Sequence, residues 1–574
     1  MAFTGRVAAQ DAEPRVAASS EQTVADFTLR DYAGVTFTSA ASSRQPILVV
    51  VFLGTECPLA KLYAPRIQRL ADDYRARGVV VVAIDSNVQD SLADLKAYAR
   101  DHKINFPLLK DPGATVADLF DARRTPEAFV LDADRVVRYR GRIDDQYGVG
   151  TMRPSPTRHD LRAALDELLA KTAVSLPRTD PIGCFIGRTK KPDPKSPVTF
   201  SNQIVRIFNT HCVDCHRPGE IGPFSLTDYA KAAGWADTIA EATATDRMPP
   251  WHAAPHVGKF TGDRRLSAAD KKLIADWVAA GAPEGDRSQL PPTPKFLDAG
   301  WQLPRAPDVV VPMSAEPFTV PAEGSVEYQH FVVDPKFTED KWFTAAEVKP
   351  GNRAVVHHLM VFAVSKEFLR SGGFTSLEGY TVGYVPGMRV TSYPPGMAKR
   401  IPAGSQLVFQ VHYTTVGTRQ LDLSQLGLQL VDPSKIQYEV VTGSAIKPSI
   451  VIPPRIARYR ATADSVRIAH GSYLLSMTPH MHLRGASFNY RCVFPSGKIE
   501  TLLEIPRYDS NWQTTYRLAE PLPMPVNCRI RCDAVFDNSE DNPNNPDCNR
   551  TVRWGLQEWD EMMVGYFDVA IPRK

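Results

Sequence analysis

The chain is poor in the residues that metal and redox chemistry use, with eight Cys and thirteen His among 574 residues. It lacks an excess of either charge: 67 Lys and Arg stand against 64 Asp and Glu, for a formal net charge of +3. No basic arm is present to hold a nucleic acid. Long apolar runs are also missing. The longest, 47–53 and 79–84, fall far short of the roughly 20 residues a membrane helix needs, which predicts no transmembrane segment. Residues 1–14 lack the apolar core of a secretory leader, so 1–21 reads as a trimmed leader or a disordered segment, with Ala8-Ala9-Gln10-Asp11-Ala12 similar to the neighbourhood of a cleavage site. A hydrophobic content of 43% over this length allows three or four separate cores.

The scarce Cys and His are clustered. Cys212-Val213-Asp214-Cys215-His216 places two thiols three positions apart, followed directly by an imidazole. Two such thiols can add to the vinyl groups of one haem while the His ligates its iron; a redox CxxC or half of a zinc site is the competing reading. Helical patterns surround the motif at 204–209, 226–241 and 267–280. Residues 197–287 resemble the all-α, single-haem cytochrome c fold, through the haem motif, Arg247-Met248-Pro249-Pro250-Trp251 and Leu266-Ser267 up to Trp277. A second axial ligand is then required. Met248 is the expected one, with His252 and His256 close enough to compete. Haem attachment of this kind is expected outside the cytoplasm, in the periplasm or a secreted protein.

Residues 22–175 alternate strand and helix. The runs 47–53 and 79–84 are rich in Val and Ile, as buried parallel strands require, and helical patterns follow at 60–76 and 91–102. Gly54-Thr55-Glu56-Cys57-Pro58-Leu59-Ala60 puts one Cys at a helix start, where the dipole favours a thiolate. Thr125-Pro126 before the strand at 128–131 resembles the cis-proline loop of thioredoxin-like proteins, so this unit is similar to the redoxin family, with an α/β thioredoxin-like fold. Where a thioredoxin carries its second active-site Cys, this sequence has Ala60. A redox cycle at Cys57 therefore needs a thiol from elsewhere, and Cys184, in the linker 176–196, is the candidate. A domain kept only for docking is the alternative.

Residues 288–320 are proline-rich and read as a semi-rigid linker. Beyond them, short strands punctuated by Gly and Pro predict two β-sandwich (jelly-roll-like) units, 321–442 and 443–574. Three His clusters fall here: His357-His358, Val411-His412-Tyr413 and His480-Met481-His482. His480 and His482, two apart, share a strand face and can bind one ion. His357 and His358 are adjacent and can share an ion only through a bulge or different ring nitrogens. His330 stands apart and reads as structural.

These clusters, with Asp560-Glu561-Met562, resemble the copper type II, ascorbate-dependent monooxygenases, the peptidylglycine α-hydroxylating and dopamine β-monooxygenase family, over about 320–572. The resemblance implies two copper ions, one on His357, His358 and His412, the other on His480, His482 and Met562, with Met563 as the competing thioether. It also implies hydroxylation of a C–H bond with O₂ and an ascorbate-like external reductant or other electron donor. Tyr566 matches a substrate-contacting tyrosine. The arginine that holds a peptide carboxylate in the amidating members is replaced by Thr478, which leaves open whether the substrate is a peptide or another small molecule.

Four further Cys, 492, 528, 532 and 548, suggest two disulfides in an oxidising compartment. Cys528 and Cys532 would stand about 13 Å apart on a strand, too far to bridge, which leaves Cys492 with either one, or four free thiols. Three functions compete at this point. They are a copper monooxygenase fed by haem and perhaps by the redoxin unit, a copper-handling protein without catalysis, and an electron-transfer or thiol-redox protein.

Overall fold

The computed structural model describes residues 22–44, 47–148, 151–153, 155–294, 300–371, 379–388 and 390–573; the leader reading of 1–21 and residues 295–299 of the proline-rich linker lie outside them. The two Val- and Ile-rich runs become the neighbouring parallel strands Ile47–Phe52 and Val79–Asp85. They are buried on both faces, which is why their sequence does not alternate. Glu127–Leu131 joins antiparallel on the other side of Ile47–Phe52. The full sheet runs Thr36–Thr38, Thr28–Asp31, Leu108–Lys110, Val79–Asp85, Ile47–Phe52, Glu127–Leu131, Val137–Gly141. Helix Pro58–Arg75 packs Leu59, Ala60, Tyr63 and Ile67 into the core on one side, and Phe52, Phe120 and Phe129 pack edge to face on the other.

Between Cys184–Phe185 and Val309–Pro312 the described residues form helices and no strand. Val205–His211, Tyr229–Gly234, Ala236–Ala244 and Ala268–Ala279 enclose Phe200, Phe208, Trp235, Ile274 and Trp277. The last helix starts on a capping box, Ser267 with Asp270. The helix expected over 226–241 is two helices, because it starts after the Asp228 cap and breaks at Trp235. Gly234, just before the break, approaches Gln89 of the first domain so closely that a Cβ would collide with it.

The rest is mostly β-sheet. One long sheet runs Val309–Pro312, Gln425–Leu430, Lys341–Lys349, Met397–Ile401, Tyr438–Ile446, Val564–Pro572, Tyr473–His480, Tyr516–Pro523. A four-stranded sheet of Gln329–Val333, Gln406–Tyr413, Val356–Val364 and Tyr380–Tyr384 covers its first half, and Phe343, Leu426 and Leu428 meet Leu359, Phe409 and Val411 in that core. Tyr459–Asp464, Arg529–Phe536, Gly485–Val493 and Ile499–Ile505 cover its second half, where Met477, Phe567 and Val569 meet Phe488, Tyr490 and Ile530. The two sandwiches share a sheet, so the expected boundary at 442/443 falls inside strand Tyr438–Ile446. The linker reading of 288–320 also differs at its end. Val309–Pro312 is an edge strand paired with Gln425–Leu430, a position where proline costs no ladder hydrogen bond.

Candidate functional site

Cys57 caps helix Pro58–Arg75 at the end of the central strand, fully buried, and its thiol donates to the Thr125 carbonyl at 2.9 Å beside the cis Thr125–Pro126 bond. Cys184 reaches it because Cys184–Phe185 pairs with Arg124–Thr125, Cys184 directly opposite Thr125. Gly183 makes this approach possible: at φ +154 its Cα lies against the Thr125 carbonyl, where any Cβ would clash. Cys184 stands beside Cys57, close enough for each sulphur to shift the titration of the other. Burial pushes the Cys57 thiol up, but hydrogen bonds from the Cys184 thiol, from the backbone at Ala60 and Cys184, and from the Thr125 side chain outweigh it and hold Cys57 below an ordinary cysteine. Cys184, facing the Cys57 sulphur, is raised well above its usual value.

The helical segment closes over this pair. Glu56, next to Cys57, accepts from Lys231 Nζ at 2.8 Å and from Trp235 Nε1 at 3.2 Å. Trp235 stacks on Phe224 with centroids 4.2 Å apart and planes 11° apart, and Phe224 lies 4.8 Å from the His216 ring. Side chains in contact therefore lead from the thiol pair to the CxxCH motif.

The CxxCH residues fit a covalently held haem. His216 Nδ1 lies 3.1 Å from the Phe224 carbonyl, a contact that fixes the ring and leaves Nε2 as the ligand atom. Gly222 sits so close under the turn that a Cβ would strike the Cys215 carbonyl and the His216 ring. Burial pushes the Cys212 thiol up to about 12 and raises Cys215 as well, so both are protonated thiols. Met248 follows helix Ala236–Ala244, its backbone N–H on the Ala242 carbonyl. Of its competitors, His256 is exposed, and His252 lies with the charges of Asp509 and Arg507 in the last β region.

In the β half, a register shift between Val356 and His358 gives the bulge that two adjacent His need to share a site. His358 then faces His412 across the ladder, and the ligand nitrogens of His357, His358 and His412 lie within 4.8 Å of one another. His357 Nδ1 and His358 Nδ1 are 3.1 Å apart, while His358 Nε2 and His412 Nδ1 are buried without a hydrogen-bond partner. Unpaired imidazole nitrogens converging in a buried site fit a metal ion. Burial pushes His412 down to about 4 and His358 well below the usual range, so the imidazoles are neutral and their lone pairs free.

His480 ends strand Tyr473–His480, and its ring lies 5.2 Å from that of His482. Its Nδ1 contacts Gln513 Oε1. Val564 pairs with His480, so Met562, two residues earlier, continues the same face as Val564 and Tyr566. Met563 points into the core with Met481 and Phe567 and is removed from the competition. Glu561 clamps the pieces: one oxygen accepts from the backbone of His482 at 3.0 Å and of Met562 at 3.3 Å, the other from that of Arg484 at 2.6 Å. Burial pushes His480 and His482 down to about 4 and Glu561 up to about 8. Tyr566 stacks on Tyr380 with centroids 5.6 Å apart, its hydroxyl buried and unpartnered.

The remaining predicted residues separate. Cys492 and Cys528 are buried near one another, Cys532 is buried against Gly565 and Tyr490, and Cys548 is half-buried; all four are free. His330 Nε2 meets Gln410 Nε2 at 3.0 Å, a structural contact. Glu56, Trp235, Tyr328, Gln513 and Glu558, and the role of Glu561, leave no mark in the sequence, because isolated residues carry no spacing signal.

Residues 21–140 match the family model described as AhpC/TSA family. They form a redoxin domain of thioredoxin-like fold. Peroxiredoxin Q of Triticum aestivum is 28% identical over 121 residues, 20% of this chain and 54% of that protein. Thiol-disulfide oxidoreductase ResA of Halalkalibacterium halodurans is 24% identical over 121 residues, 21% of this chain and 66% of that protein. The chain thus spans less than two thirds of either relative. A solved hypothetical protein from Sinorhizobium meliloti is 34% identical, covers 30% of this chain and 94% of its own, and has a TM-score of 0.28. No helix among the described residues is long and apolar enough to cross a membrane.

Because the redoxin thiolate leans on the Cys184 thiol, Cys184→Ser should raise the pH at which Cys57 becomes reactive. The rate of alkylation by a small haloacetamide, measured from pH 5 to 9, should reach its half-maximum at higher pH in the variant. Identical profiles would show that Cys184 does not tune Cys57.

Proposed function

We propose that the chain is an extracytoplasmic oxidoreductase whose redoxin domain runs thiol-disulfide chemistry on Cys57 and Cys184. The observation that carries this reading is the pairing of Cys184 with Thr125 at the cis-proline loop, on the same residue whose carbonyl Cys57 contacts. Cys57 thiolate attacks a small oxidant, a peroxide or a low-molecular-weight disulfide, and the oxidant's O–O or S–S bond breaks. The Cys184 sulphur then attacks Cys57, losing its proton and releasing water or a thiol, so two thiols become one disulfide and the oxidant gains two electrons and two protons. Cys184 thus takes the part for which Ala60 is unfit. Mild oxidation of the whole chain followed by peptide mass mapping should give a Cys57–Cys184 disulfide, and Cys184→Ser should stop at a sulfenic acid or mixed disulfide on Cys57. Oxidation that leaves both thiols free would contradict the reading.

A second reading covers the β half, carried by the three convergent imidazoles. In it, 321–574 is a copper monooxygenase region and 197–287 holds the haem that passes electrons to it. His357, His358 and His412 would hold one copper, and His480, His482 and Met562 the other. Copper would supply O₂ reduction coupled to C–H hydroxylation, the thioether favouring Cu(I) and the imidazoles serving both oxidation states. The chain's own residues fix that chemistry in place: Glu561 ties His482 to Met562, Gln513 orients His480, and the Tyr380–Tyr566 stack lines the adjoining wall. Met248 would complete the haem iron's ligands opposite His216. His357→Ala and His482→Ala should each lose one of two bound copper ions by elemental analysis, with the haem absorbance unchanged. A parent chain that binds no copper would leave thiol redox and electron transfer as the function.

A further inference from the structure

Glu558 Oε1 lies 3.7 Å from His412 Nδ1, the buried nitrogen that has no hydrogen-bond partner. That is too long for a hydrogen bond. It is close to the spacing of two donors on one ion: with metal–ligand bonds of about 2.0–2.2 Å, tetrahedral neighbours stand about 3.3–3.6 Å apart. Glu558 comes from the second β region, four residues before Met562. Its position is set by Tyr328 of the first region, whose hydroxyl donates to the same Oε1 at 2.7 Å. The Tyr328 ring lies 5.0 Å from His412 and 5.4 Å from His358, so the tyrosine is wedged against the imidazoles it serves.

We infer that Glu558 is a fourth donor of the three-histidine copper site, making it a His₃-carboxylate centre closed by a side chain from the other β region. The inference rests on the copper reading above. An anionic oxygen donor favours Cu(II) over Cu(I), the opposite of the Met562 thioether, so the two sites are biased toward opposite oxidation states. Tyr328 is a positioning residue that holds the carboxylate at the imidazoles.

The test uses the full chain, copper alone as ligand, EPR of the Cu(II) form, and separate chelator competitions for Cu(II) and Cu(I). Glu558→Gln should lose at least tenfold in Cu(II) affinity at one of two sites and change that site's copper hyperfine splitting, with Cu(I) affinity kept. Glu558→Asp should recover part of the Cu(II) affinity, and Tyr328→Phe should move it in the same direction as Glu558→Gln but less. A Glu558→Gln chain whose Cu(II) spectrum and affinity match the parent overturns the inference, as does equal loss of Cu(II) and Cu(I), which marks a purely structural role. If His357→Ala loses no copper, the copper reading itself fails, an outcome separate from the other two.

Discussion

The antiparallel ladder between Tyr473–His480 and Val564–Pro572 holds the histidine sites together. Its register sets His480 opposite Val564 and so brings Met562, more than eighty residues away in sequence, to the same face. A slip of one residue would turn Met562 inward and present Met563 instead, because side chains alternate along a strand. Glu561 reinforces that register by tying the backbone of both strand extensions to one buried carboxyl. The same sheet continues through Tyr438–Ile446 into the first sandwich, where the four-stranded sheet that carries His357, His358 and His412 packs against it.

Three of the contacts between regions of the chain lie beside candidate redox groups. Glu56 with Lys231 and Trp235 ties the redoxin thiols to the helical segment. Glu220 with Arg353, at 3.5 Å, ties the CxxCH turn to the first sandwich. Trp251 packs edge to face on Tyr516, and Phe260 bridges to Leu518, tying the segment after Met248 to the second. Each contact joins residues adjacent to a candidate redox group, so the groups are linked by packed protein rather than by flexible tethers. On the second reading, the helical segment would lie between the two-electron chemistry of the thiols and the one-electron chemistry of a haem and copper.

Motif spacing made the sites legible where chemistry requires close neighbours: Cys212, Cys215 and His216 within five residues, and His480 and His482 two apart. Strand alternation also carried the bulge at His357–His358, since two adjacent imidazoles cannot share an ion without one. The partnership of Cys57 with Cys184 was readable only from the missing second Cys at Ala60; the two-residue strand that achieves it is too short to leave a pattern. The shared long sheet was not legible. A strand crossing between sandwiches has the same alternation as one that stays within a sandwich, and only its long-range partners distinguish it. Glu558 and Tyr328 were invisible for a similar reason, since their meaning lies wholly in a contact between residues 230 apart.

Together the two proposed readings require one chain to carry all of these groups. The direct measurement is haem and metal content of the full chain, produced in a host that matures c-type haem and supplied with copper. One covalent haem and two copper ions per chain, with Cys57 and Cys184 closing a disulfide in the same sample, is the predicted result. Zinc at Cys212 and Cys215 in place of haem, or no copper on the histidines, would contradict it.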